Sequence, residues 1–493
     1  MDYFSTRGAT ERVSSAEAIL KGLASDGGLF VPTSFPQMML PEIEALRDLS
    51  YEERAVRILR RYLTDYTEEE LKGCVSRAYG QTFDDVRRAP VRVVGDLDVL
   101  ELWHGPTSAF KDMALQLLPQ LMSTARAKTG EKDTILILVA TSGDTGKAAL
   151  EGFADAEGIR IMVFYPDGGV SPVQRLQMVT QEGANVSVVA VRGNFDDAQR
   201  GVKEIFGDAA MAEELAALHT KLSSANSINW GRLVPQIVYY FSAYADLLAD
   251  GKIAAGDPVN FTVPTGNFGN ILAGYYAKRM GLPVGKLVCA SNANNVLTDF
   301  LQTGIYDRKR DFYQTMSPSM DILVSSNLER LLYHLTEDTA QVAAWMQELA
   351  EVGKYDASRL LPALRESFWA AFADDAATEE EIRAVYERTG YTLDTHTAVA
   401  YRAAEGYRRA TGDVRPMVVL STASPYKFGA SVLRALGEDM AGVDEFIQMV
   451  FLKEKSGMKI PPRLEALEKA PVRHEGICEK GGMRAAVLSF ARS

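Results

Sequence analysis

Cysteine is scarce. The 493 residues hold three, at positions 74, 289 and 478. An odd number with no close pair excludes a disulfide framework and a thiolate metal site, and fits a reducing compartment. Histidine is scarce too: five are scattered singly, with no His-Glu-x-x-His pattern, so no zinc catalytic site is expected. There is no run of about 18 apolar residues to span a membrane, and "MDYFSTRGATERVSS" at the start has no apolar leader core. The expected location is therefore cytoplasmic. Excess basic charge is missing as well. A net charge of −12 argues against nucleic acid or an anionic membrane as partner. An anionic small molecule remains possible, because it needs only a local nest of donors. There is no internal repeat and no low-complexity tract.

What is present is an ordinary globular composition, 47% hydrophobic and 24% charged, on a chain long enough for two to four domains. Residues 1 to 95 read as a mainly helical N-terminal domain. "LSYEERAVRILRRYL" and "TEEELKGCVSRAYG" have helical apolar spacing and acidic first turns, and the "SDGGLFVP" turn brings one extended segment back against them. From about residue 96 the pattern changes. Val99 to Trp103, "TILILVA", "IRIMVFYP", "VSVVAV", "VNFTVP", "KLVCAS" and "PMVVLS" read as strands alternating with helices. This is an α/β arrangement with mostly parallel sheets. Residues 134–219 are assigned to a small α/β domain, and 96–133 with 220–493 to a large one. The stretch from about 310 to 415 reads as mainly helical, with Trp345, Trp369 and Phe372 in its core.

In such sheets ligands sit beyond the carboxyl ends of the strands. Four strand ends carry loops of small polar residues, around Lys111, Ser142, Asn267 and Thr422. In "HGPTSAFKDMALQLLPQLM", Lys111 stands where a turn enters an amphipathic helix. A cation in the first turn opposes the macrodipole by about 0.3–1 kcal/mol, which Asp112 partly offsets. Ala109, Phe110 and Met113 solvate the amine poorly. Both effects favour the neutral amine, a nucleophile; the plainer reading is a lysine that snorkels to water. In "PTGNFGN", Gly266 and Gly269 let the backbone approach a ligand, and N–H groups at a helix start form an anion nest. Two asparagines and Phe268 in the same turn favour a phosphate over an unliganded turn. "TSGDTGKAA" lacks a first glycine and has Ala148 where a P-loop needs Ser or Thr. Its Thr141, Ser142, Asp144 and Thr145 suit a carboxylate or phosphate, although one of them would suffice as an N-cap. Arg232 in "NSINWGR" is either an anion clamp or a solvated surface residue.

One candidate amine nucleophile, one phosphate nest and one hydroxyl-rich loop together suit pyridoxal 5′-phosphate, with Lys111 forming the Schiff base and "GNFGN" holding the phosphate. "SDGGLFVP", "HGPTSAFKD", "ATSGDTG", "NSINWGR", "VPTGNFGN", "SPSMDILVSSNLERLLY" and "LSTASPYKFG" occur in an order that resembles the threonine synthase family, over residues 4 to 460. The resemblance implies fold type II pyridoxal-phosphate architecture with a large and a small α/β domain. It implies Lys111 as the Schiff-base lysine; Gly266, Asn267, Phe268, Gly269 and Asn270 as the phosphate loop; and Thr422 as the neutral hydroxyl facing the pyridine nitrogen. Ser142, Asp144 and Thr145 correspond to the loop around the substrate carboxylate and the cofactor's ring oxygen, with Thr141 beside them as a further substrate-binding candidate. Arg232, Lys427 and Lys147 are the candidate cations for the substrate phosphate. Relatives commonly have Ser-Thr-Ala-His-Pro where this chain has "STASP", so Ser424 replaces a histidine.

The implied reaction is O-phospho-L-homoserine plus water to L-threonine plus phosphate, in a monomer or homodimer with no nucleic-acid or membrane partner. A related lyase releasing a 2-oxo acid and ammonia is the nearest alternative, and a binding protein that has lost catalysis is the more distant one.

Overall fold

The computed structural model describes residues 1–141 and 143–493; Ser142 lies outside them. The large sheet has six strands in the order Phe368–Phe372, Val284–Ser291, Val259–Pro264, Met417–Ser421, Leu97–Glu101 and Val91–Val94. All neighbours are parallel except the last pair, which is antiparallel. The small sheet is parallel throughout, in the order Gly476–Glu479, Val186–Arg192, Ile159–Pro166, Thr134–Ala140 and Thr220–Ser223. Both are covered by helices. This is why "TILILVA" is apolar without alternation: Ile135 to Val139 are buried on both faces.

The small sheet takes two edge strands from outside residues 134–219. Thr220–Ser223 joins one edge and Gly476–Glu479 the other. Each pairs with a single neighbour, and Gly476–Glu479 is largely exposed, so neither carries the apolar run that marks a central strand.

The N-terminal helices form where their caps direct. Ser14, Ser50 and Thr67 each accept from the backbone N–H three residues on, and Glu17, Glu53 and Glu70 reach back to the cap. Phe30–Pro32, from the "SDGGLFVP" turn, pairs antiparallel with Tyr3–Ser5. The helix Trp230–Ala249 runs through the core and is buried along nearly its whole length.

Two local expectations are corrected. The lysine turn leads into two helices, Lys111–Leu115 and Leu118–Thr129, because Pro119 begins the second and cannot continue the first. Within 310–415, "FWAAF" is an edge strand of the large sheet rather than part of a helix. Trp345 is buried, but Trp369 is half-buried and Phe372, at the strand end, is 54% exposed.

Candidate active site

The loops at Lys111, Asn267 and Thr422 follow three adjacent strands of the large sheet, and the loop that begins at Thr141 follows the strand Thr134–Ala140 of the small one. The site therefore lies where the strand ends of the two sheets meet. The lysine turn is tied to the Thr422 loop through its backbone. Phe110 N–H donates to the Thr422 carbonyl at 2.8 Å, Ser424 N–H to the Ser108 carbonyl at 3.0 Å, and Leu102 N–H to the Ser421 carbonyl at 2.9 Å. Inside the turn, Asp112 accepts from the Thr107 N–H and hydroxyl, both at 2.7 Å. An added Cβ on Gly105 would lie 2.5 Å from the Asp112 Cβ, so the turn closes only with glycine there. Asp112 thus braces the turn instead of balancing the helix dipole.

Lys111 begins its helix with no side-chain cap ahead of it, and its Nζ donates to Ser319 Oγ at 3.2 Å. Burial lowers its pKa to about 8; Asp144 opposes the shift, while Lys427 and Arg232 reinforce it. Asp144 pairs with Lys427 Nζ at 2.7 Å across the gap between the sheets, and both side chains are buried. Burial pushes the Asp144 pKa up, but Lys427 and Lys111 outweigh it and hold the carboxyl at about 2. Lys427 also donates to the Thr107 carbonyl at 2.9 Å. Arg232 is buried, not a surface residue. Its Nη1 donates to the Ala225 carbonyl at 2.7 Å, its Nε has no partner among the described residues, and burial lowers its pKa to about 10. Lys147 is engaged elsewhere, by Gln181 at 2.6 Å and Glu151 at 3.5 Å.

The Asp144–Lys427 pair gives a first prediction. Asp144→Asn leaves a buried ammonium without its counter-charge and should destabilise the protein by about 3–5 kcal/mol, read as a lower denaturation midpoint. Adding Lys427→Met should restore most of that loss. A single variant as stable as the wild type would refute the pairing.

In the Gly266–Asn270 loop, Phe268 is left-handed (φ 65°) and the helix Gly269–Arg279 begins without a side-chain cap. Asn270 Oδ1 accepts from the Tyr239 and Tyr240 hydroxyls at 2.6 and 3.0 Å. Its Nδ2 is buried and has no partner among the described residues. The Thr141 hydroxyl accepts from the Gly143 and Gly146 N–H groups, each at 3.0 Å, so it acts as a local cap. Asp144 and Thr145 open the helix that follows, Ser142 lies outside the described residues, and Thr422 is buried beside the lysine turn.

Ser319, His396 and Asp394 were not singled out from the sequence. His396 accepts from the Ser319 N–H at 3.1 Å through Nε2, and its Nδ1 faces Asp394 at 3.0 Å. A neutral ring protonated on Nδ1 satisfies both contacts. The only local signal was Asp394 as an N-cap.

The turn also holds a titration device. His104 stacks on Trp103 and lies 2.6 Å from Asp84 and 2.9 Å from Glu101. Burial disfavours its charge, but the two carboxylates prevail and raise its pKa to about 9. Its contribution to stability is complete below the unfolded value near 6.5 and disappears as pH rises through about 9. Melting temperature should fall over that window, and His104→Gln should flatten the fall; an unchanged slope would refute the assignment.

Residues 2–79 match the family description "Threonine synthase N terminus", 99–423 "Pyridoxal-phosphate dependent enzyme" and 397–480 "Threonine synthase, C-terminal". Over 478 residues the chain is 40% identical to a threonine synthase of Pseudomonas aeruginosa, covering 96% of this chain and 98% of that one. The chain belongs to the threonine synthase family. A crystal structure of a PLP-bound threonine synthase from Brucella melitensis superposes with a TM-score of 0.89 at 38% identity, covering 100% of both chains. The human protein "Threonine synthase-like 1" is 41% identical over 465 residues. These are 92% of this chain but only 62% of the human protein, so the chain spans less than two thirds of that relative's length. For a threonine synthase family member, the fold type II architecture and the helical N-terminal domain are as expected. Among the described residues, no helix is long and apolar enough to cross a membrane.

Proposed function

We propose that this chain converts O-phospho-L-homoserine and water into L-threonine and phosphate with pyridoxal 5′-phosphate as cofactor. The observation that carries this reading is charge balance at the strand ends. Lys427 and Arg232 both bear on Lys111 there, and Asp144 is ion-paired to only one of the three, Lys427. A site with surplus buried cations suits a doubly phosphorylated pair of ligands.

The donor set fits the cofactor. Gly266 to Asn270 offer an uncapped helix start and the unpartnered Asn270 Nδ2 for its phosphate, and Lys111 offers an amine for its aldehyde. Thr422 offers a neutral hydroxyl to the ring nitrogen. When bound, the cofactor supplies an electron sink for charge that develops on the substrate's carbons.

The rest is work for the chain's own side chains. Lys111, poised near neutral pH, can take a proton from the substrate's α-carbon and return protons later. Loss of phosphate from the γ-carbon and addition of water at the β-carbon balance the reaction. Thr141, Ser142 and Thr145, with the helix start at Asp144, are the proposed carboxylate loop, and Arg232 and Lys427 the proposed phosphate partners. Ser424 is buried, with no partner for its hydroxyl among the described residues. This is consistent with a substrate contact that differs from relatives bearing histidine.

The test is product analysis of the purified, cofactor-loaded protein with O-phospho-L-homoserine. Threonine and phosphate in equal amounts support the proposal. A 2-oxo acid and ammonia would assign the chain to the related lyase reaction.

A further inference from the structure

Arg330 is fully buried, and among the described residues no carboxylate pairs with it. An uncompensated buried guanidinium is costly unless its donors are satisfied. Here three of them are, each by a different segment. Nε donates to the Phe30 carbonyl at 2.9 Å, Nη2 to the Ile228 carbonyl at 2.7 Å and Nη1 to Asn327 Oδ1 at 2.5 Å. Phe30 belongs to the N-terminal domain, where Thr6 and Arg7 bind the neighbouring Glu329 at 2.6 and 2.9 Å. Asn327 belongs to the loop's other side. Its N–H and Nδ2 both donate to the Asn267 carbonyl, at 3.0 and 3.1 Å, while Ser325 Oγ donates to the Gly266 carbonyl at 2.7 Å.

In a planar trans peptide the C=O and the following N–H point opposite ways. Pinning the carbonyls of Gly266 and Asn267 toward 325–327 therefore turns the N–H groups of Asn267 and Phe268 away from that segment. Among the described residues neither of those N–H groups has an acceptor, so both are available to the anion nest. Arg330 holds the orientation of Asn327, and so the aim of the nest, against a fixed point in the N-terminal domain. A lysine has no fork with which to reach three acceptors at once.

We propose that Arg330 is a positioning residue that locks the Gly266–Asn270 loop to the N-terminal domain and thereby sets how tightly the loop grips a phosphate group. This rests on the reading that the loop holds the cofactor phosphate.

The experiment compares binding of pyridoxal 5′-phosphate and of pyridoxal, which lacks the phosphate, to the full chain by absorbance titration. Arg330→Lys should weaken pyridoxal 5′-phosphate binding by about tenfold or more, equivalent to about 1.4 kcal/mol, and leave pyridoxal binding unchanged. Asn327→Ala should lower the same ratio. Equal weakening of both ligands would indicate a merely structural role and overturn the proposal. If Arg330→Lys does not fold, Asn327→Ala decides alone, and an unaltered ratio there overturns it. A wild-type protein that binds pyridoxal as tightly as the phosphorylated form would remove the underlying reading of the loop instead.

Discussion

Lys111→Ala should lower threonine formation by about 10³-fold or more, because the group proposed to hold the cofactor and carry protons is lost. The fold should survive. The lysine makes one side-chain hydrogen bond, to Ser319, and its removal relieves a desolvated amine. Lys111→Arg should be equally inactive, since a guanidinium remains charged and is not a nucleophile. In the wild type, the rate at which the protein takes up the cofactor should rise with pH up to about 8, where the amine becomes neutral, and then level off. Turnover by the alanine variant within tenfold of wild type would refute the role of Lys111.

Gly266→Ala carries the second large effect. Its Cβ would lie 2.6 Å from the Ser319 carbonyl oxygen, a backbone atom that cannot rotate away. The loop or the 317–321 segment must shift, at a cost of about 1–3 kcal/mol. Ser319 is also the partner of Lys111 and His396, so one clash disturbs both ends of the proposed cofactor site. We expect weaker binding of pyridoxal 5′-phosphate by at least about tenfold together with a lower melting temperature. Gly269→Ala is the control for the fold alone: its Cβ meets no protein atom nearer than 3.4 Å, so the melting temperature should not change. Unchanged cofactor affinity in Gly266→Ala would refute the close approach.

Much of this is legible in the sequence itself. The central strands announced themselves as apolar runs, and the capping boxes of the N-terminal helices are local patterns. The glycines of "TGNFGN" mark a close backbone approach that depends only on their lack of a side chain. Less was legible where partners are distant in the chain. Ser319 reaches Lys111 across 208 positions, and Arg330 reaches Phe30 across 300. No local spacing encodes such contacts, although "SPSMDILVSSNLERLLY" was visible as a stretch. Edge strands were missed for a different reason. Gly476–Glu479 has a single sheet neighbour and no continuous apolar run, whereas Phe368–Phe372 is an apolar run of five, too short to be told from a buried helix segment by periodicity. Lys147 followed a glycine as a phosphate-binding lysine would, yet its charge is held by Glu151 and Gln181, acceptors outside its own loop.

Lys111 is proposed to stand at the helix start to hold the cofactor's aldehyde. The most direct measurement is borohydride reduction of the wild-type protein loaded with pyridoxal 5′-phosphate, followed by peptide mapping. A bleached visible band and a single modified residue, Lys111, are expected. A label on any other lysine, or no label at all, would contradict that role.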